Sequence, residues 1–176
     1  NALGWWSPIE NGAMFNGMYL DAAVNRWRHT KSVDDATKAR RLMEGLLLLN
    51  SISDVKGFVG RGVSTDGRSH YPMGSNDQTL PWFYGLWRYL ESGLATPAER
   101  ERIVANLVET ADVLVSLNWS MPAEPPFHRR GTFAGFTFDS APRLLFVCRM
   151  MHAVTSESKW DVLYRRSLAE RGGKEN

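Results

Sequence analysis

The sequence predicts an all-α fold of three helical hairpins, in which buried inner helices alternate with outer helices that face water on one side. The first observation is a capping pattern, a Ser or Thr with an acid three residues later, that recurs at intervals of about 63 residues. It occurs at Ser32-Val33-Asp34-Asp35, Thr96-Pro97-Ala98-Glu99 and Ser158-Lys159-Trp160-Asp161. The second observation is that a helix-length apolar stretch precedes each cap, separated from it by a short polar break. Each cap therefore predicts the start of the second helix of a hairpin.

The six predicted helices differ in how much of their surface is apolar. In chain order they span residues 12–29, 33–51, 77–92, 97–117, 139–154 and 159–170. The first helix of the second and third hairpins is apolar nearly all round, which predicts burial on every side. The second helix of a pair carries an apolar stripe instead and is expected to face water on its other side. The clearest stripe consists of Ile103, Leu107, Ala111 and Leu114.

The connections predict where the long loops lie. Turns within a hairpin are short, whereas the two connections between hairpins cover residues 52–76 and 118–138. Both long loops, together with residues 1–11, therefore fall at one end of the bundle, which we call the rim. The first loop contains two extended runs around Asp66-Gly67, a favourable turn pair, and predicts a small β-hairpin around residues 57–72.

Composition excludes several classes of function. The formal net charge is +2 and the basic residues are spread along the chain, so nucleic acid is not an expected partner. No apolar run approaches the roughly 18 residues of a membrane span, so no membrane partner is expected either. With one cysteine, Cys148, and no ligand pattern for a metal or a nucleotide, neither a metal nor a cofactor is expected. The composition is that of a soluble domain, and it leaves the compartment open: periplasmic, secreted or cytoplasmic.

Three stretches of the sequence carry a resemblance to a known architecture: IENGAMFNGMYLDAAVNRW, GFVGRGVSTDG and YPMGSNDQTLPWFYGLWRYLESG. They are similar in style to carbohydrate-active members of the six-hairpin (α/α) toroid, a fold shared by many glycoside hydrolases and by the helical domains of several polysaccharide lyases. The resemblance implies one toroid-like domain over residues 1–176 and a carbohydrate substrate. Because three hairpins are half of a closed ring, two alternatives are expected: further helical hairpins from a longer chain or a second subunit complete the ring, or the three hairpins form an open arc.

Two aspartates begin inner helices at equivalent positions of the repeat. Asp77 opens the second inner helix and Asp139 the third, each 19 residues before its capping pattern. One interpretation is that both simply cap their helices, a role that Asp fills well. The other is that they converge on the rim as general acid and base, because glycoside hydrolysis commonly uses two carboxyl groups. On that hypothesis Asp77 is the acid, and Asp139 or Glu10 is the second carboxyl group.

Basic and aromatic side chains of the rim are the candidates for substrate binding. The charged members are Arg61, Arg68, His70, His128, Arg129 and Arg130. Arg61 ranks first because the glycines on both sides let a ligand approach the backbone, and a guanidinium can bind a uronate or sulfate with two hydrogen bonds. The further candidates are Asn11, Tyr71, Gln78, Trp82, Trp6, His128 and Arg129, where a Trp would stack on a sugar ring. The alternative for any one of these charges is a solvated loop side chain.

Two other functions remain open at this stage. A polysaccharide lyase needs a neutralised carboxylate and a base near the C5 proton, for which Asn11, Arg61, His70 and Tyr71 would serve. His70 is therefore a candidate catalytic residue, although it and Tyr71 point to opposite faces of an extended run. A non-catalytic saccharide-binding module would use the same aromatic rim without a carboxyl pair. A protein-interaction scaffold is disfavoured, since such repeats are shorter and have short loops at both ends.

Overall fold

The computed structural model describes residues 10–135 and 140–172, and these residues form helical hairpins with one small sheet. The helices are α1 (Gly12–Thr30), α2 (Val33–Ser51), α3 (Asn76–Glu91), α4 (Pro97–Ser116), α5 (Ala141–Thr155) and α6 (Ser158–Gly172). The strands are β1 (Ser120–Pro122) and β2 (Arg129–Thr132), paired antiparallel. The predicted all-α class with a small β-hairpin is confirmed. None of the described helices is long and apolar enough to cross a membrane.

Helix caps explain where the outer helices α2 and α4 begin. Thr96 and Glu99 form a complete capping box: the Thr96 hydroxyl accepts the Glu99 N–H at 3.2 Å, and the Glu99 carboxylate accepts the Thr96 N–H at 2.7 Å. At the start of α2, the Ser32 hydroxyl accepts the Asp35 N–H at 3.1 Å. The Asp35 carboxylate does not return to Ser32 but accepts the Thr30 hydroxyl at 2.7 Å. Both caps satisfy helix N–H groups that would otherwise lack a partner.

The inner helices α1 and α3 run parallel, which is what creates a common rim. At their N-terminal ends, Gln78 Nε2 donates to Asn11 Oδ1 at 2.8 Å. Halfway along, Arg88 Nε donates to Asp21 Oδ1 at 2.7 Å. At their C-terminal ends, the Arg28 guanidinium donates to backbone carbonyl groups at the end of α3. The N-terminal ends of α1 and α3 contact each other, and so do their C-terminal ends. The segments that precede α1 and α3 therefore lie at the same end of the bundle.

Two glycines let the backbones of α1 and α3 touch. A Cβ atom on Gly17 would lie 2.1 Å from the Pro81 carbonyl oxygen, and one on Gly85 would lie 2.6 Å from the Gly17 carbonyl oxygen. Neither helix could carry a side chain there without moving away from its neighbour. The α1–α3 contact is therefore a backbone contact, and it fixes the spacing of the rim.

The outer helices cover the core on the other side. The predicted stripe of α4 is confirmed, since its four members are buried: Ile103, Leu107, Ala111 and Leu114. The core is dominated by large wholly buried side chains, namely Trp82, Trp160, Tyr89, Phe58, Phe83 and Phe133. Helix α1 is less enclosed than α3, because the side chains of Phe15 and Tyr19 are 59% and 62% exposed on its flank.

The two long loops are ordered by short antiparallel pairings. In the first loop, Val63 pairs with His70 in a single bridge around Gly67, whose φ is +69°. The Asp66 carboxylate accepts the Arg68 and Ser69 N–H groups at 2.8 Å each and so closes this turn locally. The expected hairpin around residues 57–72 is thus one bridge long, and the two-stranded ladder lies in the second loop, between β1 and β2. A further bridge between Met73 and Ala123 joins the two loops.

Candidate active site at the rim

A polar cluster occupies the rim where α1 and α3 begin. We call it the rim cluster, and its members are Asn11, Arg61, Tyr71, Ser75, Asp77, Gln78 and Arg130. Three chain segments bring it together: the start of α1, the first long loop with the start of α3, and strand β2. The predicted sharing of one pole by residues far apart in the chain therefore holds for Arg61, Asp77 and Asn11.

Arg61 is the buried centre of the rim cluster, with a side chain that is only 9% exposed. Its Nη2 donates to Ser75 Oγ at 2.8 Å and lies 3.8 Å from Asp77 Oδ1, while Nη1 donates to the Glu10 carbonyl oxygen at 3.2 Å. Its buried Nε has no hydrogen-bond partner among the described residues. The Arg61 carbonyl oxygen in turn accepts the Gly12 N–H at 2.6 Å, which pins this loop to the start of α1. A buried cation with an unused donor is costly unless it serves a ligand or an anion.

Asp77 presents the exposed carboxylate of the cluster, with 45% of its side chain accessible. Burial alone raises the pKa of Asp77, but the Ser75 hydroxyl bond, the nearby Arg61 charge and the Gln78 amide outweigh it. The net effect lowers the pKa of Asp77 below its ordinary value. An ionised carboxylate suits a base, a nucleophile or a ligand-orienting group. It does not suit the proton-donor role that the sequence suggested for Asp77.

Gln78 and Asn11 connect the two inner helices rather than facing solvent. Gln78 is wholly buried, and its amide nitrogen donates to Asn11 Oδ1 at 2.8 Å and to Asp77 Oδ2 at 3.3 Å. Its amide oxygen accepts the Met14 N–H at 3.2 Å. Gln78, expected to bind substrate directly, therefore holds the Asp77 carboxylate and the α1 terminus in place.

Strand β2 delivers a second guanidinium to the cluster. The Tyr71 ring has the Arg61 guanidinium carbon 5.9 Å from its centroid and the Arg130 guanidinium carbon 6.0 Å from it. A Cβ atom on Gly131, whose φ is +79°, would lie 3.1 Å from Asn76 Oδ1, so β2 lies directly against the first residue of α3. The sequence grouped Arg130 with the other rim charges but favoured Arg129, which is exposed in the structure.

Behind the cluster, a second polar group ties the rim loops together. We call it the loop clasp, and it consists of Ser53, His70 and Glu124. Glu124 Oε1 accepts the Ser53 hydroxyl at 2.7 Å and lies 2.9 Å from His70 Nε2. His70 is 8% exposed, packs against the Phe58 ring and has its Nδ1 at the Arg68 carbonyl oxygen. Both ring nitrogens of His70 are engaged within the protein, so the structure gives this proposed catalytic residue a place in the clasp.

The loop clasp supplies a prediction for stability. Replacing Glu124 with glutamine should lower the free energy of unfolding by about 1–2 kcal/mol at neutral pH, because it removes a largely buried charged acceptor. Burial raises the pKa of Glu124, but Ser53 and His70 outweigh this and hold it below its ordinary value. Such stabilisation is complete above the unfolded-state pKa and is lost as the pH falls through the folded-state pKa. Urea unfolding at neutral and acidic pH measures both effects.

A matched control for this prediction is Glu101→Gln, which removes the same charge from the exposed face of α4. We expect Glu101→Gln to change stability by less than about 0.5 kcal/mol. Equal stability of the Glu124→Gln variant and the wild type at neutral pH would show that the clasp does not hold the loops.

The other residues expected at the site are scattered. Trp82 lies in the core, wholly buried, and its indole N–H donates to the Leu46 carbonyl oxygen at 2.9 Å, so its ring is not available for stacking on a sugar. His128 is exposed at a turn with φ +57°. Glu10 is exposed, and its carbonyl oxygen contacts Arg61. Asp139 and Trp6 lie outside the described residues.

An apolar cavity of about 490 Å³ opens on the side of the inner helices. It is lined by residues of α1, α3 and α5: Met18, Leu80, Pro81, Tyr84, Pro142, Arg143 and Phe146. The rings of Tyr84 and Phe146 are 6.1 Å apart, and Trp87 lies edge-on to Phe146 at 5.8 Å. The cavity therefore has aromatic side chains in and beside its wall. Two of the helices that line it, α1 and α3, carry the rim cluster at their N-terminal ends.

Comparison of the chain with protein-family models, with curated proteins and with solved structures finds no significant match. Within residues 10–135 and 140–172, no group of three or more His, Cys, Asp or Glu side chains is placed to hold a metal ion. The chemistry of the rim cluster must therefore be argued from its own side chains.

Proposed function

We propose that this chain is a carbohydrate-active module that hydrolyses glycosidic bonds in an oligo- or polysaccharide bound at the rim cluster. The observation that carries the proposal is the Arg61–Asp77 pair, a buried cation beside a half-exposed carboxylate at the shared N-terminal pole of two parallel helices. Inner-helix N-termini favour negative charge, so they support an ionised Asp77. Asn11 and Gln78 hold these groups in a fixed geometry.

In this proposal Asp77 acts as the ionised carboxylate, either activating a water molecule or attacking the anomeric carbon. The second carboxyl group then protonates the leaving oxygen as the glycosidic bond breaks. Glu10 and Asp139 are our candidates for this proton donor. Glu10 precedes α1, and its backbone carbonyl oxygen accepts a hydrogen bond from Arg61, so this residue lies beside the rim cluster.

A second candidate reaction is β-elimination from a uronide, and Tyr71 is the observation that favours it. Its ring lies about 6 Å from two guanidinium groups, those of Arg61 and Arg130. In such a reaction a guanidinium neutralises the C5 carboxylate, Tyr71 removes the C5 proton, and the C4–O bond breaks to leave a C4–C5 double bond. The expelled oxygen takes up a proton, so the atoms balance without water.

The test is to incubate the full chain with neutral and uronic oligosaccharides and to analyse the products. Hydrolysis produces new reducing ends with no near-ultraviolet absorbance. Elimination produces one absorbing unsaturated end per bond broken. Saccharide binding without either product would support the non-catalytic module, and the absence of both binding and products would contradict the proposal.

A further inference from the structure

We propose that Arg130 is the specificity residue of the rim cluster and selects a saccharide that carries an anionic group, a carboxylate or a sulfate, on its ring. This inference rests on the proposed function and adds the charge class of the ligand. It is carried by the place of Arg130 beside Tyr71, by the balance of charges around it and by the way β2 is held against α3.

Specific contacts of strand β2 determine the position of Arg130. Gly131 follows it with a φ of +79°, which favours glycine, and a Cβ atom there would lie 3.1 Å from Asn76 Oδ1, so the strand passes close to the start of α3. The β1–β2 pairing places Pro122 opposite Arg129 and Ser120 opposite Thr132, and the register shifts between these two pairs, so Arg130 and Gly131 lie at an irregularity of the ladder. Arg130 itself is only partly exposed, and its guanidinium carbon lies 6.0 Å from the Tyr71 ring centroid. The pairing of β2 positions the Arg130 backbone, and the contact with the Tyr71 ring orients the long Arg130 side chain, which would otherwise be free to move in solvent.

The carboxylate of the rim cluster pairs with Arg61, so the Arg130 charge is available to a ligand. The Arg61 charge is balanced by Asp77 at 3.8 Å, and two of the nitrogen atoms of its guanidinium are engaged with Ser75 and the Glu10 carbonyl. Arg130 has no carboxylate within 4.0 Å among the described residues, so one positive charge remains beside the ring of Tyr71. A guanidinium with free donors binds a carboxylate or a sulfate with two parallel hydrogen bonds.

The same arrangement fits a sugar better than another anion. Within the rim cluster one guanidinium, that of Arg130, lacks a carboxylate partner and matches one charge, whereas a nucleic acid needs a row of phosphate contacts that this chain, at net charge +2, does not offer. The exposed Asp77 carboxylate can accept hydrogen bonds from hydroxyl groups on the sugar ring.

Calorimetric titration with three tetrasaccharide probes tests the inference. The probes are a galacturonic acid tetrasaccharide, its methyl ester and a sulfated galactose tetrasaccharide. The ester keeps the shape of the acid but removes its charges. We expect the wild type to bind at least one charged probe about tenfold more tightly than the ester, and Arg130→Gln to abolish that preference while changing ester affinity less than about twofold. The charged probe that responds identifies carboxylate or sulfate.

The control variant is Arg41→Gln, which removes the same charge from the exposed face of α2, away from the rim. We expect it to retain the preference for the charged probe, and the circular dichroism of both variants to match the wild type. Equal losses in the two variants, equal affinity of the wild type for all three probes, or an equal loss of acid and ester in Arg130→Gln would overturn the role of Arg130 while leaving the saccharide site intact. Failure of all three probes to bind the wild type would overturn the proposed function, and this inference with it.

Discussion

Replacing Gly17 with alanine is expected to lower the free energy of unfolding by about 3 kcal/mol or more. The new Cβ would lie 2.1 Å from the Pro81 carbonyl oxygen and 2.5 Å from its carbonyl carbon. Both are backbone atoms, so no rotamer change can relieve the overlap and the two inner helices must separate. Separation also opens voids around Leu20 and Leu86, which are wholly buried in the same core.

The matched control is Gly45→Ala, because Gly45 also lies within a helix but a Cβ atom there meets nothing within 4 Å. Alanine favours the helix over glycine, so this variant should gain about 0.5–1 kcal/mol. Urea unfolding followed by circular dichroism gives both values. A Gly17→Ala variant as stable as the wild type would mean that α1 and α3 are not in backbone contact.

The fold was largely predictable because helix periods and caps are local signals. Every predicted helix is found, with boundaries that differ by about two residues at most. The third capping pattern is the exception: α6 begins at Ser158 itself, and the Asp161 carboxylate binds Arg165 at 2.7 Å and Arg149 at 3.5 Å. An acid three residues after a serine predicts a helix start well, but neighbouring arginines can compete for that acid.

The close approach of α1 and α3 could not be predicted from the sequence. From the sequence alone, a glycine within a helix only indicates a locally less stable helix. The role of Gly17 and Gly85 is to let two helix backbones touch, and this contact joins positions that are 68 residues apart in the chain. Gly45 also lies within a helix, but a Cβ atom there would meet nothing within 4 Å.

The sequence predicted where the candidate site lies better than it predicted which residues form it. Loop lengths placed Arg61 and Asp77 at one pole, because antiparallel hairpins return every second connection to the same end. Direction within a helix was harder: Trp82 looked rim-facing in sequence, yet its indole reaches the Leu46 carbonyl of α2. Glu124 lies in the turn between β1 and β2, and Arg130 lies in the four-residue strand β2. These segments are too short to show a periodic pattern in the sequence, so only the pairing of β1 with β2 and of Met73 with Ala123 shows where the two residues lie.

Replacing Asp77 with asparagine is expected to lower kcat/KM on a cleaved saccharide by about 10²–10⁴-fold. The amide keeps the size of the side chain and can still contact Ser75 and Gln78, but it can neither accept a proton nor attack as a nucleophile. The control is Asp34→Asn, an equal loss of charge on the exposed first turn of α2, which should leave kcat/KM unchanged. Full activity of the Asp77→Asn variant would remove Asp77 from the mechanism.

The pH dependence of the same reaction separates an ionised Asp77 from a protonated one. Because the Ser75 hydroxyl, Arg61 and Gln78 lower the pKa of Asp77, activity that needs the carboxylate should persist into acid and fall only as the pH drops through that lowered pKa. Ser75→Ala removes one of the causes of the lowered pKa, so the acid limb of the kcat/KM profile should move to higher pH. An acid limb that stays in place in Ser75→Ala would show that Asp77 is not the group that titrates there, and a profile with no acid limb would contradict a role for the ionised Asp77 carboxylate.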